Sequence, residues 1–339
     1  MNMKTIASVA TLAFLFCFSA IADKLKVGFV YIGPVGDHGW TYMHDQGRQA
    51  VEKAYGDKVE VTYMESVKYG PDAERAIRGL AKEGMDIIFA TSFGYMEPML
   101  KVAKEFPNIK FEHATGYKTN NNMSVYSGMF YQGRYVQGVI AGHMSKTGKA
   151  GYIASFPIPE VVRGINAFYL GAKSVNPDFD IDVVWVNSWY DPVKEGNAAK
   201  VLISEGADII TQHTDSPAAL QVAQQQGVYA FGQASNMYQF APKAQLTAIL
   251  DDWAPYYIKR VGQVMNGTWK KSDTWGDMKS GMVKMAPYTN MPDNIARIAK
   301  DIEKKVMNGN IDPFNGKYSV GELLSMNKYV KGIDASLPK

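Results

Sequence analysis

The sequence predicts an α/β protein of two similar lobes, each a parallel β-sheet with helices on both faces. Three observations predict it. A six-residue phrase occurs twice, "EGMDII" at 83–88 and "EGADII" at 205–210. The match extends on both sides of the phrase, at an offset that drifts only from 123 to 120. Within each copy short apolar runs alternate with helix-like runs, which is the order a parallel sheet with crossover helices requires.

The elements follow in chain order. "LKVGFVYIG" (25–33) and "KAGYIASFP" (149–157) are apolar runs closed by Gly or Pro, the pattern of a buried strand. "VEVTYMESV" (59–67) faces "DIDVVWVNSW" (180–189) as the second strand of each half. The helix-like runs "DAERAIRGLAK" (72–82) and "EGNAAKVLIS" (195–204) precede the repeated phrase, and "DIIFA" (86–90) and "DVVWV" (182–186) carry the near-continuous apolar residues of buried parallel strands. After it, "LKVAKEFPNIKFEHA" (100–114) aligns with "LQVAQQQGVYAFGQA" (220–234) as a helix and a strand, with Leu100, Val102, Ala103, Phe111 and Ala114 matching Leu220, Val222, Ala223, Phe231 and Ala234. A helix-like run at 134–144 lies between the halves. The strand "LTAIL" (246–250) and the helix "APYYIKRVGQVMNG" (254–267) follow the second.

With 339 residues, the chain has room for two domains of ordinary size, and 46% hydrophobic residues supply their cores. The formal net charge is +3 and no run of five basic residues occurs, which argues against nucleic-acid binding through a basic patch. The N-terminus has a short basic start ("MNMK"), an apolar stretch (5–18) and Ala20-Ile21-Ala22, the pattern of a secretory signal peptide cleaved after Ala22. The stretch is shorter than the ~20 residues that span a bilayer. Cys17 is the only cysteine, and bulky Phe14-Leu15-Phe16 before it disfavours lipid attachment. The expected mature chain starts at Asp23, carries no lipid, and has no thiol for a disulfide, a nucleophile or a metal.

Enzyme signatures fail on spacing. "GHMSKTGK" (142–149) has five residues between its glycines instead of four, and follows a helix where a phosphate loop follows a strand. "GPVGDHG" (33–39) lacks the dinucleotide spacing, and neither G-x-S-x-G nor H-E-x-x-H occurs. The histidines at 38, 44, 113, 143 and 213 are scattered, so no metal, cofactor or catalytic residue is expected. A secreted two-lobed chain of this kind reads as a receptor.

In open α/β sheets, ligands bind beyond the carboxyl ends of the strands. That rule selects the loops 33–40, 66–72, 91–98 and 115–122 in the first half, and 155–161, 187–192, 213–217 and 232–238 in the second. They carry Trp40, Phe93, Phe156, Trp189 and Tyr238, with Asp37, Asp191, Asp215, Gln233 and Asn236 among the polar groups. Rings offered by both lobes suit a flat ligand, and base–aromatic stacking is worth ~1–3 kcal/mol per base. Two such faces amount to about half of the ~8 kcal/mol of micromolar binding. Carboxylates and amides suit a heterocycle with N–H edges. The competing reading is local: the rings pack the loops, "DSP" (215–217) starts a helix with Ser216 as cap, and Asp251 and Asp252 cap the helix after Trp253.

The motifs "GPVGDHGW" (33–40), "GYIASFPIPEVVRGINAFYLGAKSVNP" (151–177), "EGADIITQHTDSP" (205–217) and "GMVKMAPY" (281–288) resemble the basic membrane protein family, over nearly all of residues 25–339. These are extracytoplasmic substrate-binding proteins of ABC importers, related to purine nucleoside receptors. The resemblance implies a type I periplasmic binding protein fold with three crossing strands, periplasmic location, and an ABC permease as partner. It divides the chain into residues 23–147 plus about 252–280, and 148–251 plus about 281–339. It puts the stacking aromatic on Trp40 and the acidic group of that loop on Asp37. The nucleoside receptors hold ribose with a Gly-Val-Asp-x-Asp-Gln segment and a following Lys. Here "GQASNM" (232–237) has Ala234 and Asn236 at the aspartates, and Asp251 and Asp252 lie near the Lys position. With Trp189 and Trp253 expected to fill that volume, a free purine base such as adenine is favoured over a nucleoside. The expected ligand set is Asp37, Trp40, Phe93, Trp189, Asp215, Gln233, Asn236, Asp252 and Trp253. The alternatives are a receptor for a sugar or other small polar solute, a sensory protein that presents its ligand to a signalling partner, and a nucleoside-processing hydrolase, against which the absence of a paired acid/base or metal motif argues.

Overall fold

The computed structural model describes residues 23–338; the leader assigned to residues 1–22, with Cys17, lies outside the described residues. The first half of the chain runs β1 (Leu25–Val30), α1 (Gly39–Tyr55), β2 (Val59–Met64), α2 (Pro71–Lys82), β3 (Ile87–Ala90), α3 (Met96–Glu105), β4 (Lys110–Ala114) and β5 (Met123–Gly128). The second runs α4 (Tyr131–Met144), β6 (Lys149–Ala154), α5 (Pro159–Lys173), β7 (Asp180–Trp185), α6 (Pro192–Ser204), β8 (Ile209–His213), α7 (Ala218–Gln225), β9 (Tyr229–Gly232) and β10 (Gln245–Asp251). The chain then returns through α8 (Ala254–Met265), β11 (Asp273–Gly276), β12 (Val283–Met285), α9 (Asp293–Met307) and α10 (Val320–Leu324).

Two six-stranded sheets result, in the orders β11-β5-β4-β3-β1-β2 and β12-β10-β9-β8-β6-β7. All pairs are parallel except β10–β12. The core order is the same in both sheets, as the internal repeat requires. The repeated phrase has one structural job in each. Glu83 and Glu205 end α2 and α6, and Gly84 (φ 80°) and Gly206 (φ 97°) take left-handed turns before the strand. Asp86 then accepts the Lys26 N–H at 2.7 Å, and Asp208 accepts that of Lys146 at 2.6 Å, tying the first turn to the start of β1 and the second to the chain leading into β6.

The helices bury one stripe. In α2, Ala73, Ala76, Ile77, Leu80 and Ala81 are buried, a spacing of three and four that puts them on one face. Helix α4, assigned from sequence to the first lobe, packs on α5 of the second. A Cβ on Gly138 would stand 2.0 Å from the Phe168 carbonyl oxygen, so the two backbones touch where only hydrogen fits. The chain thus leaves the first sheet just after β5. It returns at 252–253 to place α8 on α1, and crosses again between β11 and β12, giving three connections.

The return is anchored by a buried ion pair. Glu112 on β4 is fully buried and accepts from Arg260 Nε, Tyr256 Oη and Trp269 Nε1, each at 2.7 Å. Arg260 also donates to Ser124 Oγ on β5 at 2.8 Å. Among the described residues, no helix is long and apolar enough to cross a membrane.

Candidate functional site

The carboxyl ends of both sheets face each other across a closed cleft. Its inner chamber is a pocket with about 410 Å3 of space between atoms, part of it open to solvent. The first lobe lines it with Ile32, Trp40, Ser92, Phe93 and Thr115, and the second with Ile158, Glu160, Trp189, His213, Asp215 and Gln233. An outer vestibule shares Ile32, Trp40, Trp189 and Asp215 and adds Tyr69, Phe156, Asn187 and Tyr190. Both lie where the switch of strand order leaves a crevice.

Trp40 sits in the first turn of α1, which starts directly after the loop that leaves β1. Its Nε1 donates to the Thr91 carbonyl at 2.6 Å, fixing the indole against the end of β3. His44, Phe130 and Trp253 pack behind it, with ring planes 74–78° from that of Trp40 or from one another's, except that His44 and Trp253 stack at 4.5 Å. Trp189, from the loop after β7, packs against Phe156 at 5.3 Å and His213 at 6.2 Å. One indole from each lobe therefore borders the chamber, each held by its own lobe.

The polar groups come chiefly from the second lobe. Asp215 accepts the Trp40 backbone N–H at 3.2 Å, while the neighbouring Gly39 N–H donates to Ser235 Oγ at 2.8 Å. The N-terminus of α1 thus docks on the opposite lobe, where its free N–H groups favour a carboxylate. Gly39 has φ 78°, and a Cβ there would meet the Asp215 carbonyl oxygen at 3.0 Å. Glu160, in the first turn of α5, accepts from Ser127 Oγ of the first lobe at 3.3 Å and stands 3.5 Å from His213 Nε2. Gln233 gives its Oε1 to the buried Arg134, which also donates to Gln137 and Thr211 at 3.2 Å. Burial lowers the proton affinity of His213, which keeps the ring neutral.

Burial, with the nearby Glu195 charge, raises the Asp215 carboxyl to about 7, against the donated Trp40 N–H. A raised acid favours its protonated form, so this contribution to closure is complete below the ordinary carboxylate range and is lost as pH rises through about 7. The groups facing Asp215 are the α1 N-terminus, Glu195 on α6, the Tyr69 phenol of the first lobe and the buried Asp251. Ligand-free protein is expected to be more compact at about pH 5 than at about pH 8 in small-angle X-ray scattering. Asp215→Asn should flatten the difference; an equal response in the variant would assign it to another group.

The expected ligand residues divide in two. Trp40, Phe93, Trp189, Asp215 and Gln233 line the chamber. Asp37, Asn236, Asp252 and Trp253 do not. Asp37 is exposed and pairs with His38 at 2.7 Å. Asn236 is exposed and accepts from Gln245 Nε2 at 2.7 Å, bracing its own loop. Asp252 accepts the Ala254 N–H at 3.2 Å, capping α8, and pairs with Lys284 at 2.5 Å. Trp253 is fully buried behind Trp40 and supports that ring without reaching the chamber. Glu160 and His213 line it without having been singled out from sequence; the loop rule had selected both segments, and no residue pattern distinguished either side chain. No group of three or more potential metal ligands occurs among the described residues.

Known proteins resemble this chain over most of its length. The family model described as "ABC transporter substrate-binding protein PnrA-like" matches residues 24–313. The chain is 58% identical over 332 residues to a purine-binding protein of Brucella abortus (strain 2308), covering 94% of this chain and 95% of that one. It is 38% identical over 325 residues to a Haloferax volcanii protein named for glucose binding in ABC transport, covering 93% and 82%. A solved solute-binding protein of an ABC transporter system from Aeropyrum pernix K1 superposes with a TM-score of 0.72 at 17% identity, covering 88% of this chain and 97% of that one, a likeness of fold.

Proposed function

The chain belongs to the PnrA-like family of ABC transporter substrate-binding proteins, and from that premise we propose that it is a periplasmic receptor that closes on a purine-like ring and delivers it to an ABC permease. It acts by binding, without chemistry on the ligand. The observation that carries this reading is the chamber between Trp40 and Trp189, in which each lobe supplies an aromatic ring and the second lobe supplies carboxylates and an amide. The Brucella relative, similar over nearly the whole chain and named for purines, supports the same ligand class. Hinge closure follows from the lobes' contacts: a ligand touching both favours the closed state by its differential affinity.

Within that class we favour the free base over the nucleoside. The inner chamber is bordered by rings and short loops, and Asn236 and Asp252 are engaged in bracing and capping. Sugar hydroxyls buried without partners cost about 1–3 kcal/mol each. Adenine and hypoxanthine are therefore expected to bind at least about tenfold more tightly than adenosine and inosine in calorimetric titration of the ligand-free mature protein, since ~1.4 kcal/mol is one decade. Equal or tighter binding of the nucleosides would reverse the preference. The Haloferax relative favours one second reading, a sugar receptor. Binding of glucose or ribose with no purine bound would establish that reading instead.

A further inference from the structure

We propose that Glu160 and Asp215 form a paired acceptor that selects uncharged or cationic rings carrying N–H donors and rejects anionic rings, with Gln233 supplying the complementary donor. The proposal rests on the purine reading above and narrows it.

Three observations carry it. First, both carboxylates line the chamber. Glu160 takes one hydrogen bond from the first lobe, through Ser127, and Asp215 takes one, through the Trp40 N–H. An ionised carboxylate has about four acceptor sites, so most of this capacity is available to a ligand on Glu160, and on Asp215 above about pH 7, where it is ionised. Second, among the described residues no lysine or arginine side chain lines the chamber. Arg134 stands behind Gln233, committed to Gln233, Gln137 and Thr211. Arg163 is buried farther back, donating to the Leu323 carbonyl at 2.5 Å. An anionic ring would meet carboxylates at contact and cations only through intervening groups. Third, Arg134 has donors only, so it orients the Gln233 amide with its oxygen inward and leaves the NH2 group for the chamber. Arg134 is thus a positioning residue, and Gln233 presents a donor where the carboxylates present acceptors.

The pattern has a consequence for closure. Glu160 and Asp215 are the same groups that receive first-lobe donors from Ser127 and Trp40. A ring that donates to them joins the lobes through the acceptors that already bridge them, so donor content sets both affinity and the closed population.

The test is a calorimetric panel at about pH 8, where Asp215 is ionised, on the wild-type protein and on Glu160→Gln. Adenine and hypoxanthine are neutral rings with N–H donors; urate is an anion of the same ring system at neutral pH; caffeine is neutral, flat and without N–H donors. The expected result is binding of adenine or hypoxanthine at least tenfold tighter than urate or caffeine. Glu160→Gln should weaken adenine at least tenfold and reduce the preference for adenine over urate by at least tenfold. A merely structural role for Glu160 would weaken both ligands alike and leave their ratio unchanged, which overturns the assignment. Wild-type binding of urate as tight as that of adenine overturns the charge selection, and equal binding of caffeine overturns the donor requirement. Failure of every purine to bind, with a sugar bound, instead removes the purine reading on which the proposal stands.

Discussion

Replacing Trp40 and Trp189 together by alanine is expected to weaken binding of a purine base by about 2–6 kcal/mol, from ~1–3 kcal/mol for each stacked face. The lower end is a loss of about thirtyfold; the upper end abolishes measurable binding from a micromolar start. Each single variant should lose about half of the total. The fold should survive, because both indoles are only half-buried and stand in loops or a first helical turn at the cleft. Trp253 and His44, which form the packed layer behind Trp40, stay in place. Calorimetry on variants with unchanged circular dichroism reads the effect. Unchanged affinity in both single variants would mean that the rings only pack their own loops, Trp40 against Thr91 and Trp189 against Phe156.

Glu112→Ala carries the largest expected effect on stability, a loss of about 3–5 kcal/mol, because it leaves the buried Arg260 guanidinium without its counter-ion. Burial raises the proton affinity of the carboxyl, and the Arg260 charge and the donors from Arg260, Tyr256 and Trp269 oppose that rise. The pair fastens α8 and the segment leading to β11 onto β4 and β5, so the first lobe should loosen at its return connection. Glu112→Gln keeps the shape and some hydrogen bonds and should cost less. Urea unfolding monitored by tryptophan fluorescence separates the two variants, and a loss below about 1 kcal/mol for the alanine variant would show that solvent reaches the pair after the substitution.

The sequence by itself determined the two-lobed α/β plan and the loops where a ligand would meet it. Internal repetition and the apolar strands β1 and β3 are written in consecutive residues, because a strand buried on both faces takes mostly apolar side chains. The same holds for the turn at Gly84 and Gly206, which a left-handed backbone restricts to few residues. Tertiary structure decided what depends on partners distant in the chain. Strand β5 escaped the sequence reading because Ser124 interrupts its apolar run, and that buried serine accepts from Arg260, 136 positions away, and from the Ser272 N–H. Strands β11 and β12 are four and three residues long, and their place comes from the strands they extend. Helix α4 follows the first sheet in sequence yet packs in the second lobe, where Gly138 lets it touch α5. At the site, Asp37 and Trp40 lie in one loop and read equally well as ligands. Helix α1 begins between them, turning Trp40 toward the chamber and leaving Asp37 in solvent beside His38. Glu160 reads as an ordinary acid in a first helical turn. Its place beside His213, and opposite Ser127 of the other lobe, exists only once two sheets built from distant segments have closed on each other.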